Sequence, residues 1–436
     1  MKITTRLILT TLFLLIIFTS CRKDDPYGRN EITPEQARDT LYFVMNDWYY
    51  WYDQMPSVRR EDYPDPYLLM NAMKYNPLDR WSFVADYDEF NSQMQGTFVG
   101  HGIRIGIDGD RRARISMIYS GSDLYLAGVR RGWIVKSINN ADIAQVIISG
   151  DAAAYRNILG PSTQGVTNIF VFTKPDGFEA TIPSTKSSFT INSVLHYDTL
   201  HLSSGITGHL VFESFIEPSA SELQAAFSFF KTQNVKDLIL DLRYNSGGYL
   251  DIARTLASYI AGNGPASSQS TFARLTYNNK KQAVNVNYTF RSTALPLNLQ
   301  RLAVITSRET ASASEAVING LIPFMDVVCI GDTTTGKPTG MNGWQAGKKY
   351  WFWPVTFKIV NANNNGDYFD GILPDIIVTD DITRDFGDRN ELCLKEAIGY
   401  LQTGSLPGKR FSDFVRYRGL SERPLWTGNL FIRENP

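Results

Sequence analysis

Three nearly unbroken apolar runs, Leu238-Ile239-Leu240-Asp241-Leu242, Leu302-Ala303-Val304-Ile305-Thr306 and Val327-Val328-Cys329-Ile330, mark the second half of the chain. They are too short for helices and do not alternate, so they predict strands buried on both faces of a layered sheet. Each empties into a polar turn: Arg243–Gly248, Ser307–Glu315 and Gly331–Lys337. Helical spacing surrounds them. Leu223, Ala226, Phe227 and Phe230 share one helical face behind Ser219-Ala220-Ser221-Glu222, a capping-box signature, and another apolar helix follows Glu315 to about Ile322. Strands alternating with helices from about Phe189 to Tyr400 predict an α/β or α+β layer. From about Thr97 to Asp176 the pattern changes to short β-runs with glycine punctuation, among them Gly102–Ile107 and Arg114–Ile118. Nearer the start, Thr33-Pro34-Glu35-Gln36 predicts a capped helix running to about Trp51. Its end, Trp48-Tyr49-Tyr50-Trp51-Tyr52, is too aromatic to be left in water and is expected to pack on a neighbouring domain or line a groove.

Composition narrows the class. The chain has 436 residues, 43% hydrophobic, 13% aromatic and 20% charged, enough for several packed domains and unlike a disordered or fibrous protein. Forty-three basic against forty-four acidic residues supply no basic face for nucleic acid. The cysteines, Cys21, Cys329 and Cys393, are spaced for neither a disulfide framework nor a metal site. The chain opens with Lys2 and Arg6 and an apolar run from Leu7 to Phe18, shorter than the roughly 20 residues a spanning helix needs, and reads as an export signal. Its end, Thr19-Ser20-Cys21, resembles a bacterial lipoprotein signal, which implies lipidation at Cys21. The following Arg22-Lys23-Asp24-Asp25 resembles the surface-export signal of lipoproteins in the Bacteroidota. These resemblances imply an extracytoplasmic protein held to the cell envelope, at the outer membrane, by lipid alone.

Candidate chemistry lies at the ends of the buried strands. Ser312 sits between a strand and a helix, the kind of turn that exposes a nucleophile at the end of a sheet. None of the four histidines, His101, His196, His201 and His209, lies in a comparable turn. A lysine serves as base if burial lowers its pKa, and Lys337, after a buried strand and a glycine, is the candidate. Oxyanion donors would be the N–H of Ala313 and one from Gly247 or Gly248. Neither zinc-ligand spacing nor a phosphate loop is present, so no metal and no cofactor are expected.

At these residues the chain resembles the C-terminal processing peptidases, or tail-specific proteases. Asp241-Leu242-Arg243-Tyr244-Asn245-Ser246-Gly247-Gly248, then Ser312-Ala313-Ser314-Glu315, then Gly336-Lys337 follow the family's wording, with serine and lysine 25 positions apart. Asp370-Gly371-Ile372-Leu373-Pro374-Asp375 and Asp79-Arg80-Trp81-Ser82 resemble two further family segments. The family's lysine-orienting Gln is Met341 here, which leaves Asn342, Gln345 or a plain Ser-Lys dyad as alternatives. Glu315 must face away from Lys337, because a nearby carboxylate would raise the amine's pKa. Ser122-Asp123-Leu124-Tyr125-Leu126-Ala127-Gly128, followed by Gly132-Trp133 and a strand, resembles the core of a PDZ domain, with Trp133 in place of the usual Asp. Its peptide-binding loop would be Val99, Gly100, His101, Gly102 and Ile103 after Phe98.

The resemblance implies an α/β (α+β) multidomain chain. Residues 1–21 would be the signal, 22–30 a tether, 31–96 a helical domain and 97–180 a PDZ-like domain. A ClpP/crotonase-like serine protease core would span 189–402, with an extension over 403–436. Substrates would be proteins or peptides with accessible C-termini; oligomeric state is not legible. The alternative is an inactive peptide-binding surface lipoprotein of the same fold.

Overall fold

The computed structural model describes residues 31–406, 419–422 and 431–433. Cys21, the export signal, the tether and most of the stretch after 406 lie outside the described residues.

Helix α1 (Pro34–Trp48) starts as its sequence predicts, with Thr33 and Gln36 in a reciprocal capping box and Pro34 in the first turn. It ends at Trp48, three residues before the expected stop, because Tyr50 leaves the helix to donate its N–H to Val355 O at 2.8 Å. The chain then passes through α2 (Pro66–Met73) and β1 (Phe83–Asp86). Tyr49 and Trp51 are buried among Leu41, Met45, Tyr350, Phe352 and Trp353. The aromatic run is therefore shared core between the first and last thirds of the chain.

An antiparallel sheet follows, built from β2 (Ile103–Ile107), β3 (Ala113–Ile118), β4 (Ile134–Ile138), helix α3 (Ala152–Leu159), β5 (Thr167–Thr173) and β6 (Glu179–Thr185). Its apolar core includes Ile105, Ile115, Val135, Tyr155, Phe170 and Phe172.

The central sheet begins with the antiparallel hairpin β7 (Val194–Leu202) and β8 (Gly205–Phe212), covered by α4 (Ser219–Thr232). The buried face of α4 is Leu223, Ala226, Phe227 and Phe230, as the spacing predicts. Its capping box does not form. Ser219 lies inside the helix and donates to Ser214 O at 2.8 Å, while Glu222 accepts from Ser193 Oγ and Val194 N. Tertiary partners outcompete the local cap.

The elements that follow include β9 (Asp237–Asp241), β10 (Gly248–Tyr249), β11 (Thr271–Tyr277), β12 (Val286–Thr289), β13 (Arg301–Thr306), α5 (Ala313–Leu321), β14 (Asp326–Gly331), β15 (Thr339–Asn342), β16 (Tyr350–Trp353), β17 (Val355–Val360), β18 (Ile376–Ile377), α6 (Leu392–Thr403), β19 (Leu420–Ser421) and β20 (Phe431–Arg433). The central sheet runs β7-β8-β9-β13-β14-β18 and is parallel from β8 onward. Alternate residues of its strands serve two cores. Leu238, Leu240, Leu302 and Val304 face α4 and α5, whereas Ile239, Ala303 and Ile305 face α6. Both faces are covered, which is why these strands read as unbroken apolar runs. A second sheet runs β10-β20-β15-β17-β11-β12, and β1 pairs antiparallel with β16, Phe83 opposite Trp353.

Candidate active site

Strands β9, β13 and β14 are neighbours and parallel, so their carboxyl ends meet at one edge of the sheet, where α/β folds place chemistry. The turn after β13 reaches Ser312, wholly buried at φ 62° and ψ −109°. That conformation strains any residue with a Cβ and is held by surrounding bonds. Ala311 N–H donates to Asn245 O at 3.1 Å, and Ser314 Oγ donates to the same carbonyl at 2.9 Å. The serine turn is thereby tied to the Gly247-Gly248 turn that follows β9. Ser312 Oγ finds no hydrogen-bond partner among the described residues. Ala313 is the first residue of α5, so its N–H belongs to the helix start that has no intrahelical acceptor. Gly247 N–H donates to Asn245 Oδ1 at 2.9 Å, and Gly248 pairs in parallel with Phe431.

Lys337 follows β14. The chain can turn there because Gly336 has φ 89° and a Cβ on it would come within 2.3 Å of Phe369 O. Phe369 precedes the Asp370–Asp375 turn, which clasps this loop: Ile372 N donates to Thr334 Oγ1 at 2.7 Å. Lys337 is wholly buried. Loss of hydration brings its amine down to about 7, against the smaller opposing pull of Asp79 and Glu315. Its Nζ lies 3.5 Å from Met341 Sδ and 6.0 Å from the Trp81 ring. No hydrogen bond joins Nζ to Ser312 Oγ in this resting arrangement. Asn342 Oδ1 is engaged by Thr356 Oγ1 and Tyr277 OH, and Gln345 turns to Gly347 O.

Glu315 makes no ion pair with the lysine amine. Its carboxylate accepts from the backbone N–H groups of Ser312 (2.7 Å), Gly336 (2.7 Å) and Lys337 (2.9 Å), and from Thr334 Oγ1 (2.5 Å). One side chain thus stitches the serine turn to the lysine turn. Burial pushes its pKa up, and these donors oppose that rise.

Asp79 and Trp81 belong to the lysine pocket, although the sequence marked their segment only by resemblance. Asp79 accepts from Tyr49 OH at 2.7 Å and from Trp81 N–H and Ser82 N–H at 2.9 Å each, which fixes the carboxylate whose charge acts on the Lys337 amine. At the end of β9, Arg243 joins a buried cluster with Asp241, Asp380 and Glu391. Arg131 of the antiparallel sheet reaches the same Asp380 at 2.7 Å.

The Val99–Ile103 stretch belongs partly to a separate two-stranded sheet and partly to the antiparallel sheet. Val99 and Gly100 pair with Ser188 and Ser187, and Ile103 opens β2. The His101 ring is internal, bonded to Ser184 Oγ (2.8 Å) and Asn168 Oδ1 (2.7 Å), and burial lowers its pKa. Only its backbone N–H faces the groove. Among the described residues, no group of three or more His, Cys, Asp and Glu is arranged to hold a metal ion.

The fold and these turns define an α/β protein that presents a serine and a buried lysine at adjacent strand ends. The family model of Peptidase family S41 matches residues 206–378, and that of the Peptidase S41 N-terminal domain matches residues 36–83. The chain belongs to peptidase family S41. It is 26% identical over 301 residues to the carboxy-terminal processing protease CtpA of Bacillus subtilis (strain 168), covering 66% of this chain and 59% of that protein. It is 23% identical over 318 residues to CtpB of the same organism, covering 71% and 61%. The chain therefore spans about 60% of the length of these curated relatives. A protein of Bacteroides fragilis NCTC 9343, solved by crystallography and named for the S41 proteases, has the same fold. Its TM-score is 0.69 at 24% identity, over 84% of this chain and 97% of that one.

Proposed function

We propose that the chain is a serine endopeptidase in which Ser312 is the nucleophile and Lys337 the general base. The observation that carries this reading is the pairing of a strained, buried serine with a fully buried lysine on neighbouring strand ends, while Glu315 is bonded to backbone. Ser312 Oγ attacks the scissile carbonyl as its proton passes to the neutral Lys337 amine. The N–H group of Ala313 and that of Gly247 or Gly248 receive the oxyanion. Collapse expels the leaving amine, which takes the proton back from Lys337, and water then hydrolyses the acyl-enzyme with the same amine as base. The amine must first swing from Met341 Sδ toward the hydroxyl; catalytic hydrogen bonds often tighten only with substrate bound.

In this reading residues 97–180 form a PDZ-like domain that takes substrate tails at Val99–Ile103 and passes them to the core at 189–402. The substrates are proteins or peptides with accessible C-termini. Cys21 carries the lipid that holds the chain to the cell envelope, at the outer membrane. No helix among the described residues is long and apolar enough to cross a membrane, which is compatible with a lipid as the sole anchor.

The absence of a hydrogen bond from Ser312 Oγ to Lys337 Nζ favours one rival, a catalytically silent peptide-binding protein of the same fold. Cleavage of an unfolded protein with an apolar C-terminus, by the chain from residue 26 beside Ser312→Ala and Lys337→Ala, decides between them. The peptidase reading expects cutting by the wild type and a loss of several orders of magnitude in both variants. A wild type that is inert across mildly acidic to mildly alkaline pH, yet binds the tail, establishes the rival.

A further inference from the structure

Residues 419–422 lie along the edge of the antiparallel sheet. Strand β19 adds to β2 as an antiparallel edge strand, with Leu420 opposite Ile105 and Ser421 opposite Arg104. Leu420 packs on the apolar core of that sheet. Glu422 follows, and its Oε2 accepts from His101 N–H at 2.7 Å. Its Oε1 lies 3.2 Å from Lys186 Nζ, with the Lys186 and Glu422 side chains only 1% and 3% exposed.

Each neighbour is shaped to this arrangement. Lys186 Nζ also donates to Gly160 O (3.1 Å) and Pro161 O (3.0 Å), which fixes the ammonium at the end of the groove. A Cβ on Gly100 would come within 2.8 Å of Glu422 Oε2. A Cβ on Gly419 would lie 1.7 Å from Arg104 Nη1, so a side chain there would have to displace that guanidinium. Beside the groove runs a cavity of about 970 Å³ whose wall includes Arg104, Tyr155, Lys186, Glu309, Leu420 and Glu422, and room remains there for larger side chains. A buried lysine needs a partner, and a buried ion pair adds little stability compared with an apolar core. Its value here is recognition: an added strand supplies main-chain bonds, and a fixed cation with a backbone N–H selects a carboxylate.

We infer that residues 419–422 are a tethered ligand of the peptide groove: the Glu422 side chain occupies the carboxylate site made by His101 N–H and Lys186 Nζ, and substrate tails bind by displacing it. This deepens the peptide-groove part of the proposed function and rests on it. The same C-terminal stretch supplies β20, whose backbone lies between β10 and β15, pairing with Gly248 and with Met341. Glu422 and Phe431 are separated by eight residues. Arg104 adds a second link, since it is ion-paired to Glu309 in the turn that precedes Ser312.

The test is fluorescence anisotropy on the full chain carrying Ser312→Ala, so that nothing is cut. The probe is a labelled peptide of the chain's own residues 414–422, ending in Glu. Releasing the tether with Leu420→Asn and Glu422→Gln is expected to tighten probe binding at least tenfold, and adding Lys186→Met to abolish the gain. Gly419→Val, which expels the segment through Arg104 alone, should give the same tightening and guards against misfolding of the double variant. Equal affinity in the tethered and released chains overturns the inference. So does equal binding of a probe whose end is amidated and carries Gln in place of Glu. Binding is read without catalysis, so failure of the peptidase reading would leave this result standing, and the reverse.

Discussion

Lys337 makes the site's most exacting prediction. An ordinary lysine titrates near 10.5 and would be the free base in only about one molecule in three thousand at pH 7. Burial brings this amine to about 7, so about half of the molecules carry the free base there, a gain of roughly a thousandfold. The rate at which Ser312 is modified by a fluorophosphonate should therefore rise with pH between 5.5 and 9.5, with a midpoint near 7. Trp81→Ala removes the ring 6.0 Å from the amine and admits water. Its midpoint should move upward by one pH unit or more, lowering the rate at pH 7 by about fivefold or more. The same displacement acts on stability. The folded amine loses its proton near 7 and the unfolded one near 10.5, so the unfolded state binds more protons in between and stability rises with pH across that window. At pH 7 the penalty is about 4 kcal/mol. Lys337→Met, which has nothing to deprotonate, should be inactive yet more stable than wild type by a few kcal/mol at pH 7 in urea unfolding, with the difference fading toward pH 10.5. A wild-type midpoint above 9, or a Lys337→Met chain less stable than wild type at pH 7, would refute the buried neutral amine.

Three other changes have definite outcomes. Ser312→Gly should melt higher than Ser312→Ala, by the equivalent of about 1–2 kcal/mol, because only glycine is unstrained at φ 62°; both should be inactive. Glu315→Gln turns an amide N–H₂ toward converging donors, so chemical denaturation should show a loss of about 2–3 kcal/mol and the serine reagent should react far more slowly. Burial works against ionised Asp380, but Arg131 and Arg243 hold its carboxyl well below the usual range. Asp380→Asn should therefore destabilise by about 3–5 kcal/mol at neutral pH. Because the folded value is depressed, that contribution is lost as pH falls, and the gap from wild type should narrow below about pH 4.

The parallel strands were legible because both faces of the central sheet are covered, which removes alternation and leaves apolar runs such as Leu238–Leu242. Ser312 and Lys337 were legible because each follows such a run, and the family spacing joined them. What escaped depends on distant partners. Ser219 reads as a helix cap, but its hydroxyl is claimed by Ser214 O, a tertiary bond that no local pattern encodes. Asp79 and Trp81 reach the lysine pocket from 256 or more residues upstream, and nothing in their own neighbourhood points there. Met341 was seen as a missing amide; its packing against Lys337 Nζ appears only once β15 is placed. The pieces at 420–421 and 431–433 are too short to carry periodicity and exist as strands only because other edges receive them.

The antiparallel pairing of Phe83–Asp86 with Tyr350–Trp353 closes a loop of 270 residues between Phe83 and Trp353. A chain made from its N-terminus exposes Asp79 and Trp81 long before Lys337 exists, and the pocket that lowers the lysine closes only after Trp353 has emerged. Contacts of such long range are slow to form, and partly made chains lack them altogether. Nascent molecules therefore carry an ordinary, protonated lysine. Whatever activity the site has is therefore delayed until synthesis is nearly finished.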